Sequence, residues 1–341
     1  MGNRPKIGSV VFETTSRCNL NCQYCYNIHK MPGGPKGLRG SYGRAKKTLS
    51  RLFSVANVDR ITMSGGEPFL MDRFLELVLF CRMKGKRVLI ISNGTAGTRD
   101  EYKNLIDIGV TTFELPLHSP EPGEHDEMTA TSGSWKKVRR SIETITELGG
   151  TVVPMIVLTK INHARVADTL QLFKGLGLRR VMINRFNIGG RGIARAAQLS
   201  LTTAELRDAF ARAHSMTVKC GLSVTSNVCT PVCILKPEDY PRIGFAACTP
   251  DLSRRPLTMD TLGNLRYCNH SPHSMGNIFN EKMEAIFSSP YAKSWERSVP
   301  RVCTDCERWK QCFGGCRAAA EQLGQTVSEV DPLLTQHLLA S

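Results

Sequence analysis

Short apolar, β-branched runs recur through the first half of the chain at VVFETT (10–15), RITMSGG (60–66), VLIISNG (88–94), TTFELPL (111–117), VVPMIVL (152–158) and VMINRF (181–186). Between them lie stretches with apolar residues at helical spacing, such as FLELVLFCRMKGK, SWKKVRRSIETITELGG and ADTLQLFKGLGL. Strand–helix repetition of this kind predicts parallel strands joined by helical crossovers. Several runs are apolar on both faces, as strands covered on both sides must be. Six such units predict an α/β fold: a curved sheet or partial (β/α)6, TIM-like barrel. In parallel barrels the chemistry gathers on the loops after the C-terminal ends of strands.

Beyond about residue 200 the pattern changes. LTTAELRDAFARAHSMTVKCG reads as one amphipathic helix with Thr202 or Thr203 as N-cap. Short segments, turns and cysteines follow, in a region too small to hold itself together without a metal or another staple. The expected division is therefore a barrel over 1–200, a connecting helix and linker over 201–228, and a small cysteine-rich domain over 229–341. The tail after 317 starts helical and is expected to finish at the surface. HKMPGGPKGLRGSYGRAKK (29–47) is rich in Gly, Lys and Arg and reads as an exposed basic loop near the barrel mouth.

Composition narrows the class. The 341 residues are 41% hydrophobic, with no apolar stretch of membrane-spanning length and a basic, polar start that is not a secretory signal. A cytoplasmic location is the expectation. The net charge of +15 is scattered along the whole chain and comes with no RNA-recognition or helix-turn-helix signature. It reads first as a solubilising surface, then as a preference for acidic small substrates or peptides, and it disfavours nucleic acid. Thirteen cysteines without an export signal point to metal or redox chemistry rather than disulfides. Three fall at 18–25 and eight between 229 and 316, while Cys81 and Cys220 stand apart as ordinary buried thiols.

The first group sits in RCNLNCQYCYN (17–27), directly after the first predicted strand. A closed structural zinc site wants four ligands, and only His29 stands near enough in sequence to join Cys18, Cys22 and Cys25. Thiolates are soft donors suited to iron, and three of them can bind three irons of a cubane [4Fe–4S] cluster while leaving the fourth iron open.

This C-x3-C-x2-C with an aromatic residue before the last cysteine, after the first strand of a partial barrel, closely resembles the radical S-adenosylmethionine enzymes. The resemblance implies that the open iron chelates S-adenosylmethionine, which is reductively cleaved to a 5′-deoxyadenosyl radical that removes a substrate hydrogen. It also implies a reducing partner such as flavodoxin or ferredoxin, and it places Tyr24 near the adenine. SGGEP (64–68) resembles the segment that holds the methionine amino group, here Gly65, Gly66, Glu67 and Pro68. Two glycines permit close backbone approach, and Glu67 offers an anionic acceptor for an ammonium. SNGT (92–95), with Ser92 and Asn93, resembles the turn after the third strand. Ser119 matches a ribose contact, and Arg140, or its neighbour Arg139, a partner for the ligand carboxylate.

The second group resembles the SPASM domain, a C-terminal extension carrying two auxiliary [4Fe–4S] clusters. Cys248, Gly263 and Cys268 are followed by Cys303, Cys306, Cys312 and Cys316 at family spacing. The resemblance assigns Cys248, Cys268 and Cys316 to auxiliary cluster I, and Cys303, Cys306 and Cys312 to cluster II. Cys229 and Cys233 compete to complete cluster I. Cluster II lacks its tail cysteine, because VDPLLTQHL has Leu333 and Leu334 there. One or two auxiliary clusters are thus expected. The second has Asp331, Glu329 or His337 as replacement ligand, or keeps an open iron, or is absent; zinc on Cys303, Cys306, Cys312 and Cys316 is the residual alternative. His270 and His273 read as structural, while His118, Asn184, Arg185 and Arg191 are candidate substrate contacts. The motif begins at residue 18, so no N-terminal leader-binding domain is expected. The function implied is radical modification of a ribosomally made peptide, ahead of a nucleoside, sugar or haem precursor with sulfur transfer from an open cluster.

Overall fold

The computed structural model describes residues 4–35 and 37–340. Residues 1–3 of the expected non-signal start and residue 36 of the expected basic loop lie outside the described residues. Six parallel strands stand side by side in chain order: β1 (Lys6–Thr15), β2 (Asn57–Gly65), β3 (Arg87–Ile91), β4 (Val110–Pro116), β5 (Val152–Leu158) and β6 (Arg180–Arg185). The crossovers are α1 (Tyr42–Val55), α2 (Phe74–Met83), α3 (Arg99–Asp107), α4 (Pro122–Thr129), α5 (Ser134–Glu147) and α6 (Val166–Gly175). Each observed strand overlaps its predicted run. The order is that of a partial barrel, with helices packed along one side of the sheet.

The core lies between the sheet and these helices. Phe12, Ile61, Val88, Phe113 and Ile183 from the strands are fully buried, as are Leu49, Leu77, Ile142, Leu170 and Phe173 from the helices. Burying such side chains contributes about 1.5–3 kcal/mol each. The opposite face of the sheet carries buried polar groups instead. Glu13 of β1 forms a buried ion pair with Arg266, and His29 lies 3.8 Å from the same carboxylate. Burial pushes Glu13 up, but the Arg266 guanidinium outweighs it and holds the carboxyl below its usual range.

After a short helix α7 (Ala196–Leu199), α8 (Thr203–Cys220) forms as predicted, capped by Thr202, whose hydroxyl and amide pair reciprocally with Glu205. The C-terminal part does not then stand apart. β7 (Ser223–Ser226) and β8 (Ile243–Phe245) extend the sheet in parallel beyond β6. β9 (Leu257–Asp260) returns to the other side and pairs in parallel with β1, Val10 opposite Leu257. β10 (Asn264–Arg266) and β11 (Ser274–Asn277) complete an eleven-stranded sheet in antiparallel fashion.

Short helices follow: α9 (Met283–Phe287), α10 (Pro290–Arg297), α11 (Trp309–Cys312), α12 (Arg317–Gln322) and α13 (Pro332–Ala340). The tail reaches the surface as expected only at Thr335, Gln336 and Leu338, and is enclosed before that. Leu333 and Leu334 are buried, and Asp331 is wholly enclosed, accepting from the Cys316 and Leu333 amides and pairing with Arg185. Among the described residues no helix is long and apolar enough to cross a membrane. Cys81 is buried as expected, whereas Cys220 is half-buried, its thiol 3.5 Å from the Gln171 side chain.

Candidate functional site

The cysteine loop 17–27 leaves the C-terminal end of β1 and is tied to the loops that follow several other strands. The Gly66 amide donates to Thr15 O (2.6 Å) and the Glu67 amide to Arg17 O (2.7 Å). Asn27 Nδ2 reaches Gly65 O (3.1 Å). From the turn after β3, Asn93 Nδ2 donates to Asn19 Oδ1 (2.8 Å) and lies 3.6 Å from Cys18 Sγ. From the far side, Gln23 N donates to Met128 O at the end of α4, and Gly192 N, in the loop after β6, to Cys25 O.

The two glycines of SGGEP serve this closure. A side chain at Gly66 would place Cβ 2.1 Å from Arg17 O, and one at Gly65, where φ is +135°, would meet Thr15 O at 2.3 Å. Backbone approach within the protein, which the sequence could not distinguish from approach to a ligand, is what excludes Cβ here.

Cys18, Cys22 and Cys25 share this loop. Burial pushes the Cys22 thiol up to about 12, and the neighbouring Cys25 and Cys18 add to it. Cys25 is likewise raised by burial, against the pull of Arg191 and Lys30. Cys22 and Cys25 therefore resist ionisation until a cation takes up their charge. Among the described residues no three His, Cys, Asp or Glu side chains gather tightly enough to share one ion. A tetrahedral zinc holds its sulfurs about 3.8 Å apart, whereas a cubane bonds each thiolate to a different iron and accepts a wider triangle. His29 does not complete the group, since its ring lies between Pro35 O and Glu13. The donor set therefore suits a cluster with three thiolates better than a mononuclear ion.

Several predicted site residues stand where expected but point elsewhere. Glu67 is fully buried and is not an open acceptor: Oε1 accepts from Ser92 Oγ (2.9 Å) and the Phe69 amide, and Oε2 from the Asn93 amide (2.7 Å). Burial still raises its carboxyl to about 7. Pro68 is buried beside it and starts a single helical turn over Pro68–Leu70. Ser119 is also enclosed, donating to Glu124 and accepting from the Glu121 amide, so its hydroxyl is engaged within the wall. Arg140 is exposed on α5, while Arg139 pairs with Glu143 (2.9 Å) and stands over the Trp135 ring. The cations that the fold brings to Cys25 are Arg191 and Lys30 instead.

Tyr24 lies with Met128, Val157, Phe186 and Ile188 in a small apolar group. The Val157 amide donates to His118 Nδ1 (3.2 Å), which leaves the hydrogen on Nε2 to be donated to Tyr24 Oη (2.6 Å). His118 is thus an internal support rather than a substrate contact. The same correction holds for Asn184, which accepts from the Asn227 and Val228 amides, and for Arg185, which grips Asp331, Thr230 and Cys229 O. Arg191 alone of that set borders open space. It lines a cleft of about 460 Å³ with Gln23, Glu127 and Arg195, beside the cysteine loop.

The sequence reading missed Tyr26 and Glu114. Tyr26 is 37% exposed, with its ring 5.1 Å from that of His270. Its hydroxyl accepts from Asn269 Nδ2 (2.7 Å), and it feels Cys25 of one cysteine group and Cys268 of another. Glu114 of β4 is pushed by burial up to about 7. The only sequence signal for either was position, one directly after Cys25 and the other in the fourth strand.

The remaining cysteines fall into two sets. Cys229, Cys248, Cys268 and Cys316 lie together, with Cys248 held at about 5 by a hydrogen bond from Cys229 and by Arg255, against burial. Arg255 stands over the Tyr267 and Trp295 rings and Arg317 over the Trp295 ring, so two buried guanidiniums lie near Cys248. Cys233, Cys303, Cys306 and Cys312 form the other set. Cys316 belongs with Cys248 and Cys268, which breaks up the zinc alternative on Cys303, Cys306, Cys312 and Cys316. His270 is buried, bonded to Ile188 O and lowered by burial to about 4, a neutral structural group; the His273 ring meets Tyr291 edge-on.

Comparison with known proteins agrees with this geometry. Residues 12–173 match the Radical SAM superfamily. The chain is 25% identical over 329 residues to PqqA peptide cyclase of Methylocella silvestris, covering 94% of this chain and 85% of the relative. It is 28% identical over 315 residues to the antilisterial bacteriocin subtilosin biosynthesis protein AlbA of Bacillus subtilis, covering 89% of this chain and 65% of that one. The solved structure of Streptococcus suis SuiB bound to precursor peptide SuiA superposes with a TM-score of 0.74 at 14% identity, covering 96% of this chain and 75% of that chain. The chain thus carries a radical SAM domain over residues 12–173, the part of an enzyme that uses S-adenosylmethionine.

Proposed function

We propose that this enzyme modifies a ribosomally made peptide by radical chemistry. The observation that carries the radical reading is the loop with Cys18, Cys22 and Cys25, tied to the turns after β2, β3 and β6, with His29 turned away. Those three thiolates would hold a [4Fe–4S] cluster. Bound there, it would supply the one-electron chemistry by which S-adenosylmethionine is reductively cleaved.

The chain's own residues prepare that place. Gly65 and Gly66 let the tip of β2 close on the cysteine loop, and Glu67 locks the tip to Ser92 and Asn93. The carbonyls of these turns, rather than the Glu67 carboxylate, are left to accept from the methionine amino group. Arg191, at the cleft beside Cys25, is better placed than Arg140 to meet a carboxylate. Tyr24, supported by His118, forms an apolar wall for the adenine.

Peptide substrates are supported by relatives that match along most of the chain, a PqqA peptide cyclase and a bacteriocin biosynthesis protein. The open cleft with Arg191 and Arg195 suits a polypeptide bearing acidic groups. Cys229, Cys248, Cys268 and Cys316, with Arg255 and Arg317 near Cys248, would hold an auxiliary [4Fe–4S] cluster. It would take up the electron left on the substrate radical, and a flavodoxin or ferredoxin would supply the first one.

The test is anaerobic turnover of the reconstituted enzyme with dithionite and S-adenosylmethionine. Release of 5′-deoxyadenosine is expected, and Cys22→Ala should abolish it; cleavage that survives the substitution would refute the assignment. With a candidate precursor peptide, mass spectrometry should show a peptide mass change dependent on S-adenosylmethionine. A small-molecule product in its place would move the substrate class.

A further inference from the structure

The sequence leaves the second auxiliary set one ligand short, because its tail has leucines where a cysteine is expected. The structure shows what the tail does instead. Asp331 is committed to Arg185 and to two amides, and Leu333 and Leu334 are buried in the core. Glu329 is exposed in a turn, and the His337 ring meets Thr203 of α8. Asp331 is thus not drawn to Cys303, Cys306 and Cys312.

A different segment is. Cys229-Thr-Pro-Val-Cys233 and Cys312-Phe-Gly-Gly-Cys316 have the same spacing and pack against each other at their centres. Pro231 lies so close to Gly315 that a Cβ there would stand 2.7 Å from its ring carbons. Phe313, Gly314 and Gly315 all have positive φ (52°, 78° and 80°), which turns the chain sharply between its two cysteines. Pro231 O accepts from the Ile234 and Leu235 amides, which turns the other segment between its own. Each segment thus sends one cysteine to either side: Cys229 and Cys316 toward Cys248 and Cys268, Cys233 and Cys312 toward Cys303 and Cys306.

The second side is held in place from outside. Arg207 of α8 donates to the carbonyls of Cys233 (3.3 Å) and Ile234 (2.8 Å), and Arg308 pairs with Glu238 across the gap between the two segments. Cys303 and Cys312 are buried, while Cys233 and Cys306 are exposed. The four sulfurs are close enough to feel one another's charge: Cys233 is raised by burial and then by Cys312 and Cys306, and Cys303 by burial and then by Cys312, Cys306 and Cys233.

We propose that Cys233 is the fourth ligand of the second auxiliary cluster, which is therefore closed by four thiolates, Cys233, Cys303, Cys306 and Cys312, with its fourth ligand drawn from upstream of the domain rather than from the tail. The inference rests on the auxiliary-cluster reading above. It also resolves the competition between Cys229 and Cys233, since each completes a different cluster. Because every iron is then thiolate-bound, the cluster has no vacancy for substrate and no open iron for sulfur transfer, and its role is electron transfer. With Cys233 and Cys306 exposed, that electron exchanges at the protein surface.

Two measurements on the full chain decide it. In the reconstituted wild-type enzyme, anaerobic iodoacetamide labelling with peptide mapping should leave Cys233 as protected as Cys306, and both should label once a chelator has stripped the iron. Labelling of Cys233 while Cys306 stays protected would overturn the proposal. The second uses the chain with Cys18, Cys22 and Cys25 all replaced by alanine, so that only auxiliary iron remains. About eight irons per chain are expected, four for each cluster. Adding Cys233→Ser should lower that count and remove or reshape only the electron paramagnetic resonance signal that Cys306→Ser also removes. Unchanged iron and spectrum, or loss of the signal that depends on Cys229, would sink it. A triple variant that holds no iron, or zinc alone, would remove the auxiliary-cluster reading together with this inference.

Discussion

At the scale of single residues, Glu67 shows how a motif can be placed correctly and its chemistry misassigned. SGGEP was legible because it follows a strand and precedes a turn, but the direction of one carboxylate is decided by donors from β3, 25 residues on. Being buried with its carboxyl at about 7 against an ordinary 4.5, Glu67 makes the fold sensitive to pH. Below pH 4.5 the group is protonated in both folded and unfolded chains. Between 4.5 and about 7 the unfolded chain sheds its proton while the folded one keeps it, so stability falls as pH rises through that window and levels off above it. The shift corresponds to about 3 kcal/mol. Thermal unfolding of the Glu67→Gln enzyme at pH 5 and pH 8 should show a smaller drop between the two pH values than wild type; equal drops would refute the argument. Ser119 teaches the same lesson, since nothing in HSPE announces that its hydroxyl is taken by Glu124.

The elements were easier to read than the contacts between them. The six long strands announced themselves by apolar runs, and α8 by its periodicity and cap, because both signals are local. β7 to β11 were missed, being three or four residues long and stabilised only by neighbours far away in sequence. The pairing of the C-x3-C segments was illegible for the same reason, as it joins positions about 80 apart through Pro231 and Gly315. The tip of β2 offers a test at this level. Gly66→Ala would drive Cβ against Arg17 O and should cost about 1–3 kcal/mol of stability, with S-adenosylmethionine cleavage lost alongside. Gly43→Ala, in helix α1 with nothing within 4 Å, should be neutral or slightly stabilising. Urea unfolding midpoints and 5′-deoxyadenosine release, measured on both variants, check the contrast.

For the whole molecule, the sequence suggested a barrel followed by a small cysteine-rich domain, and one sheet runs through both. β9 covers one side of β1, the strand that leads into the cysteine loop, while β7 and β8 extend the other end beyond β6. Arg185 of β6 reaches Asp331 of the tail, and Gln322 of α12 reaches both the Gly190 amide and Tyr26 O. These ties hold the two auxiliary cysteine sets at a fixed distance from the first. A chain cut after residue 228 should therefore not behave as a stable barrel: β1 would present an uncovered edge. Expression of residues 1–228 is expected to give aggregated protein, read by size-exclusion chromatography, and a soluble monomer would show that the barrel is self-sufficient.

The pairing of Val10 with Leu257 also sets a clock on synthesis. A ribosome adding about 5–20 residues per second needs roughly 10–50 s to travel from one to the other. For all that time the strand that will present Cys18, Cys22 and Cys25 has emerged but cannot yet be flanked on both sides. Any loading of the first cysteine group that needs the finished sheet is thereby postponed until the last cysteines of the chain are being made.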